Sequence, residues 1–108
     1  MVDKSVQGFD YCDNFSEGFA KVMFNHKWNF IDKSGKLLSE QWFDSCKSFL
    51  EGFAKVELNG KSNFINKNGE LLSKQWFNWS DNFSEDFARV RLNGKWNFID
   101  KSGNLVFN

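Results

Sequence analysis

Displaced by 34 residues, the chain lies on itself. FSEGFAKVMFNHKWNFIDKSGKLLSEQWF (15–43) falls on FLEGFAKVELNGKSNFINKNGELLSKQWF (49–77), and then on FSEDFARVRLNGKWNFIDKSGNLVFN (83–108). Phe15, Phe49 and Phe83 coincide, as do Ala20, Ala54 and Ala88, and Gly35, Gly69 and Gly103. A unit this short cannot bury an apolar face alone, so a fixed period implies modules that cover one another. The frame divides the chain into a single repeat domain, 1–108. Within it lie an N-terminal segment (1–9) and units at 10–43, 44–77 and 78–108.

The same period suits helical tetratricopeptide arrays, but the punctuation here does not. Each unit carries Asn-Gly or Asn-His in its middle and Lys-Ser-Gly or Lys-Asn-Gly soon after, spacings that interrupt any long helix. Between these breaks the residues alternate over strand lengths. The expected fold class is therefore all-β: three tandem three-stranded antiparallel meanders. The first strand is FAKVMF (19–24) and the second KWNFID (27–32). Asn59-Gly60 and Asn93-Gly94 suit a two-residue type I′ turn between them, in which both central residues take positive φ. His26 replaces that glycine in the first unit, at a cost of about 1 kcal/mol. Asp32 to Gly35 make the next turn, and a third strand is expected from Lys36 to Phe43. A polar connector (44–48) and a short helical turn at 49–52 then lead onward.

Ser5, Gln7 and Phe9 match Ser39, Gln41 and Phe43. Residues 5–9 are thus expected to pair with the end of the third unit and close the array. A head-to-tail dimer would satisfy the same strands between chains.

Strand alternation sorts the faces. Ala20, Val22, Phe24 and Ile31 form a core face. The opposite face mixes rings with charge: Phe19, Lys21, Met23, Trp28 and Phe30, with Lys55, Glu57, Arg89, Arg91 and Trp96 at equivalent places. Lysine and arginine stems cover rings while their charges stay wet, so this face is expected to remain partly open. Trp28, Trp96, Lys21, Lys55, Arg89, Arg91, Met23 and Glu57 are the candidate binding residues. Trp28 and Trp96 either pack under neighbouring basic stems, Arg91 on Trp96 as a cation–π pair, or form an exposed patch of the kind that anchors interfaces. Ser62, in the tryptophan position of the middle unit, marks a groove or a tolerated truncation. Trp42, Trp76 and Trp79 fall near unit junctions, where burial is expected.

The aromatic content, 14 Phe, 5 Trp and 1 Tyr, supplies both core and candidate face. The 14 basic and 14 acidic side chains cancel, which argues against nucleic-acid binding. No catalytic constellation emerges. The single histidine, His26, sits at a hairpin tip away from any nucleophile. Cys12 and Cys46 are equivalent positions, not a Cys-x-x-Cys pair, and read as inert thiols. The Asp32 and Asp100 turns lack the alternating ligands of a calcium loop. Glu17, Glu51 and Glu85 recur too symmetrically for a general acid and base, and suit turn capping. No cofactor or metal is expected. Met1-VDKSVQGFDY contains no apolar run of signal-peptide or membrane-spanning length, so a cytoplasmic location is expected.

The string F-S-E-G-F-A-K-V, followed by N-x-K-W-N-F-I-D-K-S-G, resembles the WG (KWG) repeat of bacterial proteins over essentially the whole chain. Asn29, Asn63 and Asn97 stand where that motif has its glycine, and Ser62 replaces one tryptophan. The resemblance implies a β-rich tandem repeat with interaction roles and no catalytic residues to carry over. A protein-binding or scaffolding module is thus the expected function, including a small inhibitor of bacterial or phage origin that blocks a partner protein. Glycan or cell-wall binding through exposed rings is the alternative.

Overall fold

The computed structural model describes residues 8–107, which are all-β with no helix. Three sheets follow one another along the chain. The first holds β1 (Tyr11–Cys12), β2 (Ala20–Phe24) and β3 (Lys27–Ile31). The second holds β4 (Ser45–Cys46), β5 (Phe53–Leu58) and β6 (Lys61–Asn66), and the third β7 (Trp79–Ser80), β8 (Phe87–Leu92) and β9 (Lys95–Asp100). Each is an antiparallel meander in sequence order. Ala20 pairs with Ile31, Lys21 with Phe30 and Met23 with Trp28, the register that a symmetric two-residue loop dictates. That loop has φ of 52° at Asn25 and 65° at His26, so the histidine does occupy a left-handed conformation.

The third strand of each sheet is not the segment expected. Residues 36–43 form no strand. They touch the hairpin at separated points, where Leu38 donates to the Phe30 carbonyl (2.9 Å) and Trp28 and Phe43 exchange two bonds of 2.8 Å. The cause is Asn29, whose side chain takes over the backbone of Ser39: Nδ2 donates to its carbonyl (2.8 Å) and Oδ1 accepts from its N–H (3.3 Å). The Ser39 hydroxyl then accepts from the Gln41 N–H (3.0 Å). Such local bonds compete with a strand ladder and turn the chain away. Strand β4, by contrast, lies within the polar stretch expected to be a connector, and pairs with β5 of its own hairpin. The helical turn expected at 49–52 is a two-residue reversal, with φ of 53° at Glu51 and 90° at Gly52 and mutual bonds between Leu50 and Phe53.

The sheets stack in an open line, 48 × 25 × 19 Å overall, with neighbours meeting at β3–β4 and β6–β7. Two clusters fill the gaps. Phe30 of the first unit and the Phe43 that follows it pack on Phe49, Ala54, Val56 and Ile65 of the second. Phe64 and Phe77 meet Phe83, Ala88, Val90 and Ile99 in the same way. Each core thus joins the mixed face of one sheet to the apolar face of the next. Of the residues 5–9 expected to pair with the third unit, 5–7 lie outside the described residues, and Gly8 and Phe9 belong to no strand. No helix among the described residues is long and apolar enough to cross a membrane.

Candidate functional site

The joints between units recur in detail. Phe49 sits between Phe19 and Phe30, ring centroids 5.0 Å from each, and Phe83 sits between Phe53 and Phe64 at 4.9 Å. Phe53 stacks on Phe83 and the other pairs are tilted or edge-on, and offset-stacked and edge-on arrangements at these distances are favoured by the ring quadrupoles. Beside each wedge a glutamate reaches forward. The Glu17 carboxylate accepts from the N–H groups of Glu51 (2.8 Å) and Gly52 (2.9 Å), and Glu51 accepts from those of Glu85 and Asp86 at 3.1 Å. Lys67 lies 3.4 Å from Glu17 and Lys101 3.3 Å from Glu51.

These glutamates are capping groups for the next unit's turn, as their symmetry suggests. Burial raises the Glu17 value, but the Gly52 and Glu51 N–H bonds and Lys67 together hold it below the ordinary one. For Glu51 the Asp86 N–H bond dominates, partial burial opposes, and the Glu85 N–H and Lys101 add to the lowering.

The stack decides which candidate residues meet solvent. The mixed face, expected to remain partly open, is largely covered in the first two units. Phe30 and Phe64 are fully buried, and the Lys55 side chain is only 11% exposed. Its ammonium donates to the Ser80 carbonyl (2.7 Å) and lies 3.5 Å from Glu57. Lys21, Met23, Trp28 and Glu57 are half-buried. Trp28 lies under the Lys21 ammonium (5.0 Å to the ring centroid) and against the edge of Tyr11 (5.7 Å). Ser62 makes no groove: it is buried, its hydroxyl 2.7 Å from that of Ser80. Small residues at both places let the second and third sheets close together.

In the third unit the same positions are open. Trp96 is 52% exposed, Phe87 44% and Phe98 42%, and Arg89 and Arg91 are exposed with them. Trp79 meets Trp96 edge-on at 5.4 Å. Arg89 lies over both rings (5.4 and 5.0 Å), and Arg91 over Trp96 (5.4 Å). The Trp96–Arg91 contact and the exposure of Trp96 therefore coexist. Trp79, expected to be buried at a junction, is 39% exposed. The sequence signal for it was positional: it occupies the place of Tyr11, whose ring likewise meets a tryptophan, Trp28.

Two open depressions flank this face. One of about 670 Å³ is lined by Asn78, Trp79, Arg91, Asn93, Gly94 and Trp96. The other, of about 470 Å³, is lined by Ser84, Glu85, Phe87, Phe98, Val106 and Phe107. The candidate set thus splits, with Arg89, Arg91 and Trp96 together on the open end and the rest inside or along the stack.

Other features singled out in the sequence have structural roles. Asp32 Oδ1 accepts from the Ser34 hydroxyl (2.6 Å) and the Ser34 and Lys36 N–H groups. The Ser34 hydroxyl contributes most to holding that carboxyl below its usual range. Among the described residues no three His, Cys, Asp or Glu side chains gather as metal ligands. Cys46 is buried, and desolvation pushes its thiol up to about 12, so little thiolate forms; Cys12 is exposed. His26 is exposed at its hairpin tip.

A line of small antiparallel sheets, each buried by its neighbour and bonded to it by the same contacts, defines a linear β-repeat array. The chain belongs to the family of WG-containing repeats, whose model matches residues 8–28, 30–61 and 64–96. No curated protein and no solved structure matches it.

Proposed function

We propose that the chain is a non-catalytic protein-binding or scaffolding module whose partner docks on the open face of the third unit. One observation carries this reading: Trp79, Trp96, Phe87 and Phe98 are exposed together, beside Arg89 and Arg91, on the face whose phenylalanines Phe30 and Phe64 are buried against the next unit in the first two units. Tryptophan and arginine in a contiguous apolar patch are the residues that dominate interface energies. An inhibitor that blocks its target is one form of such a module.

The test is affinity capture with the tagged chain, with and without nuclease, against a Trp79→Ala/Trp96→Ala variant that keeps the wild-type circular dichroism. A stoichiometric protein partner that survives nuclease and is lost with the variant supports the reading. A partner held equally by both proteins places its site elsewhere. Glycan binding is the second reading, favoured by the depression in which two tryptophans stand beside Asn78 and Asn93. It predicts quenching of tryptophan fluorescence on titration with wall fragments.

A further inference from the structure

The open end of the third unit has a complement within the same chain. We propose that it binds the first unit of a second copy, so that molecules stack head to tail through the joint that already unites their own units. This deepens the reading above by naming the partner, and rests on the third unit's face being a docking face.

Four kinds of contact at the internal joint occur twice and have a third instance, unfilled among the described residues, at the two ends of the stack. The wedge phenylalanines Phe49 and Phe83 have an exposed counterpart in Phe15 (47%), while Phe87 and Phe98 offer the slot that Phe19/Phe30 and Phe53/Phe64 provide. Glu17 caps Glu51 and Gly52, and Glu51 caps Glu85 and Asp86. Glu85, exposed, is then placed to cap Glu17 and Gly18 of the next molecule.

The ion pairs Lys67–Glu17 and Lys101–Glu51 advance to Lys33 with Glu85, both exposed. The backbone packing follows the same rule. A Cβ on Gly69 would lie 2.5 Å from the Leu38 carbonyl oxygen, and one on Gly103 would lie 2.7 Å from that of Leu72. Gly35 has nothing within 4 Å, and the residue one period beyond Leu72 is Val106, 46% exposed. Rings, caps, charges and close glycine thus recur in one register. The two surfaces differ from each other, so the contact is heterologous and produces an open chain or a ring instead of a symmetric dimer.

Sedimentation of the full chain over a range of concentrations tests this. The wild type is expected to grow in mass with concentration. Phe15→Glu blocks the leading face and Phe98→Glu the trailing face. Each variant alone is expected to stay monomeric, and an equimolar mixture to form a 1:1 dimer that grows no further. A wild type that stays monomeric at the highest concentration reached overturns the proposal. So do folded variants that associate as the wild type does, or a mixture that stays monomeric.

A charge exchange that leaves the cores untouched guards against misfolding. Lys33→Glu alone, which breaks only the ion pair, should weaken association roughly two- to five-fold. Glu85→Lys, which also loses the acceptor of two N–H bonds, should weaken it more, and Lys33→Glu added to it should recover the ion-pair part; no such recovery counts against the register. A monomeric wild type that captures a different protein, lost with Phe98→Glu, would refute self-stacking and leave the docking-face reading intact. Capture unaffected by Phe98→Glu would refute that reading.

Discussion

Replacing Gly69 and Gly35 separately by alanine isolates the energy of one joint between units. The two glycines are equivalent by the repeat and have nearly the same φ, 83° and 89°. Alanine at either therefore pays a similar left-handed penalty of about 1–2 kcal/mol. Only Gly69 lies against the preceding unit, where an added Cβ would stand 2.5 Å from the Leu38 carbonyl oxygen; Gly35 has open space. Ordinary contact is about 3.5 Å, so the two sheets must part by roughly 1 Å at this point.

Forcing extra volume into a packed contact costs about 1–3 kcal/mol. Gly69→Ala should therefore lose about 2–5 kcal/mol in all, and Gly35→Ala about 1–2 kcal/mol. Urea denaturation at low protein concentration, followed by tryptophan fluorescence, measures both. Losses that agree within about 0.5 kcal/mol, the scatter expected of independent sites, would refute the argument that Gly69 is a packing residue of the joint.

His26→Gly should stabilise the protein by about 1 kcal/mol, because the histidine holds φ of 65° where the other units have glycine; a lower melting temperature would contradict this. Asn63→Ala should cost about 1–3 kcal/mol, since it strands the buried Phe64 N–H and leaves the half-buried Ser73 carbonyl without its donor. Asn97→Ala, where the same clamp is half-buried, should cost less in the same denaturation assay. Glu17 and Glu51 have folded values below their unfolded ones. Their stabilisation is complete above the ordinary glutamate value of about 4.3 and is lost as pH falls through the folded values. Glu17→Gln should thus be less stable at neutral pH and show a shallower loss of stability in acid, read by melting temperature against pH.

The period, the hairpins and their register were legible because each is a local property. Asn-Gly pairs set the loops, and alternation of apolar residues sets the faces. The third strand was misplaced because Lys36 to Phe43 has strand-like composition. Only the folded structure shows the Asn29 side chain occupying the Ser39 backbone. The candidate site lay further from reach. The hexapeptide Lys-Trp-Asn-Phe-Ile-Asp occurs identically at 27–32 and 95–100. Yet Phe30 is fully buried and Trp28 half-buried, while Phe98 and Trp96 are 42% and 52% exposed. Sequence by itself determined a β-repeat whose units carry one apolar face and one that mixes rings with charge. Tertiary structure alone decided which of those faces meets water, because burial of one unit is supplied by atoms of the next.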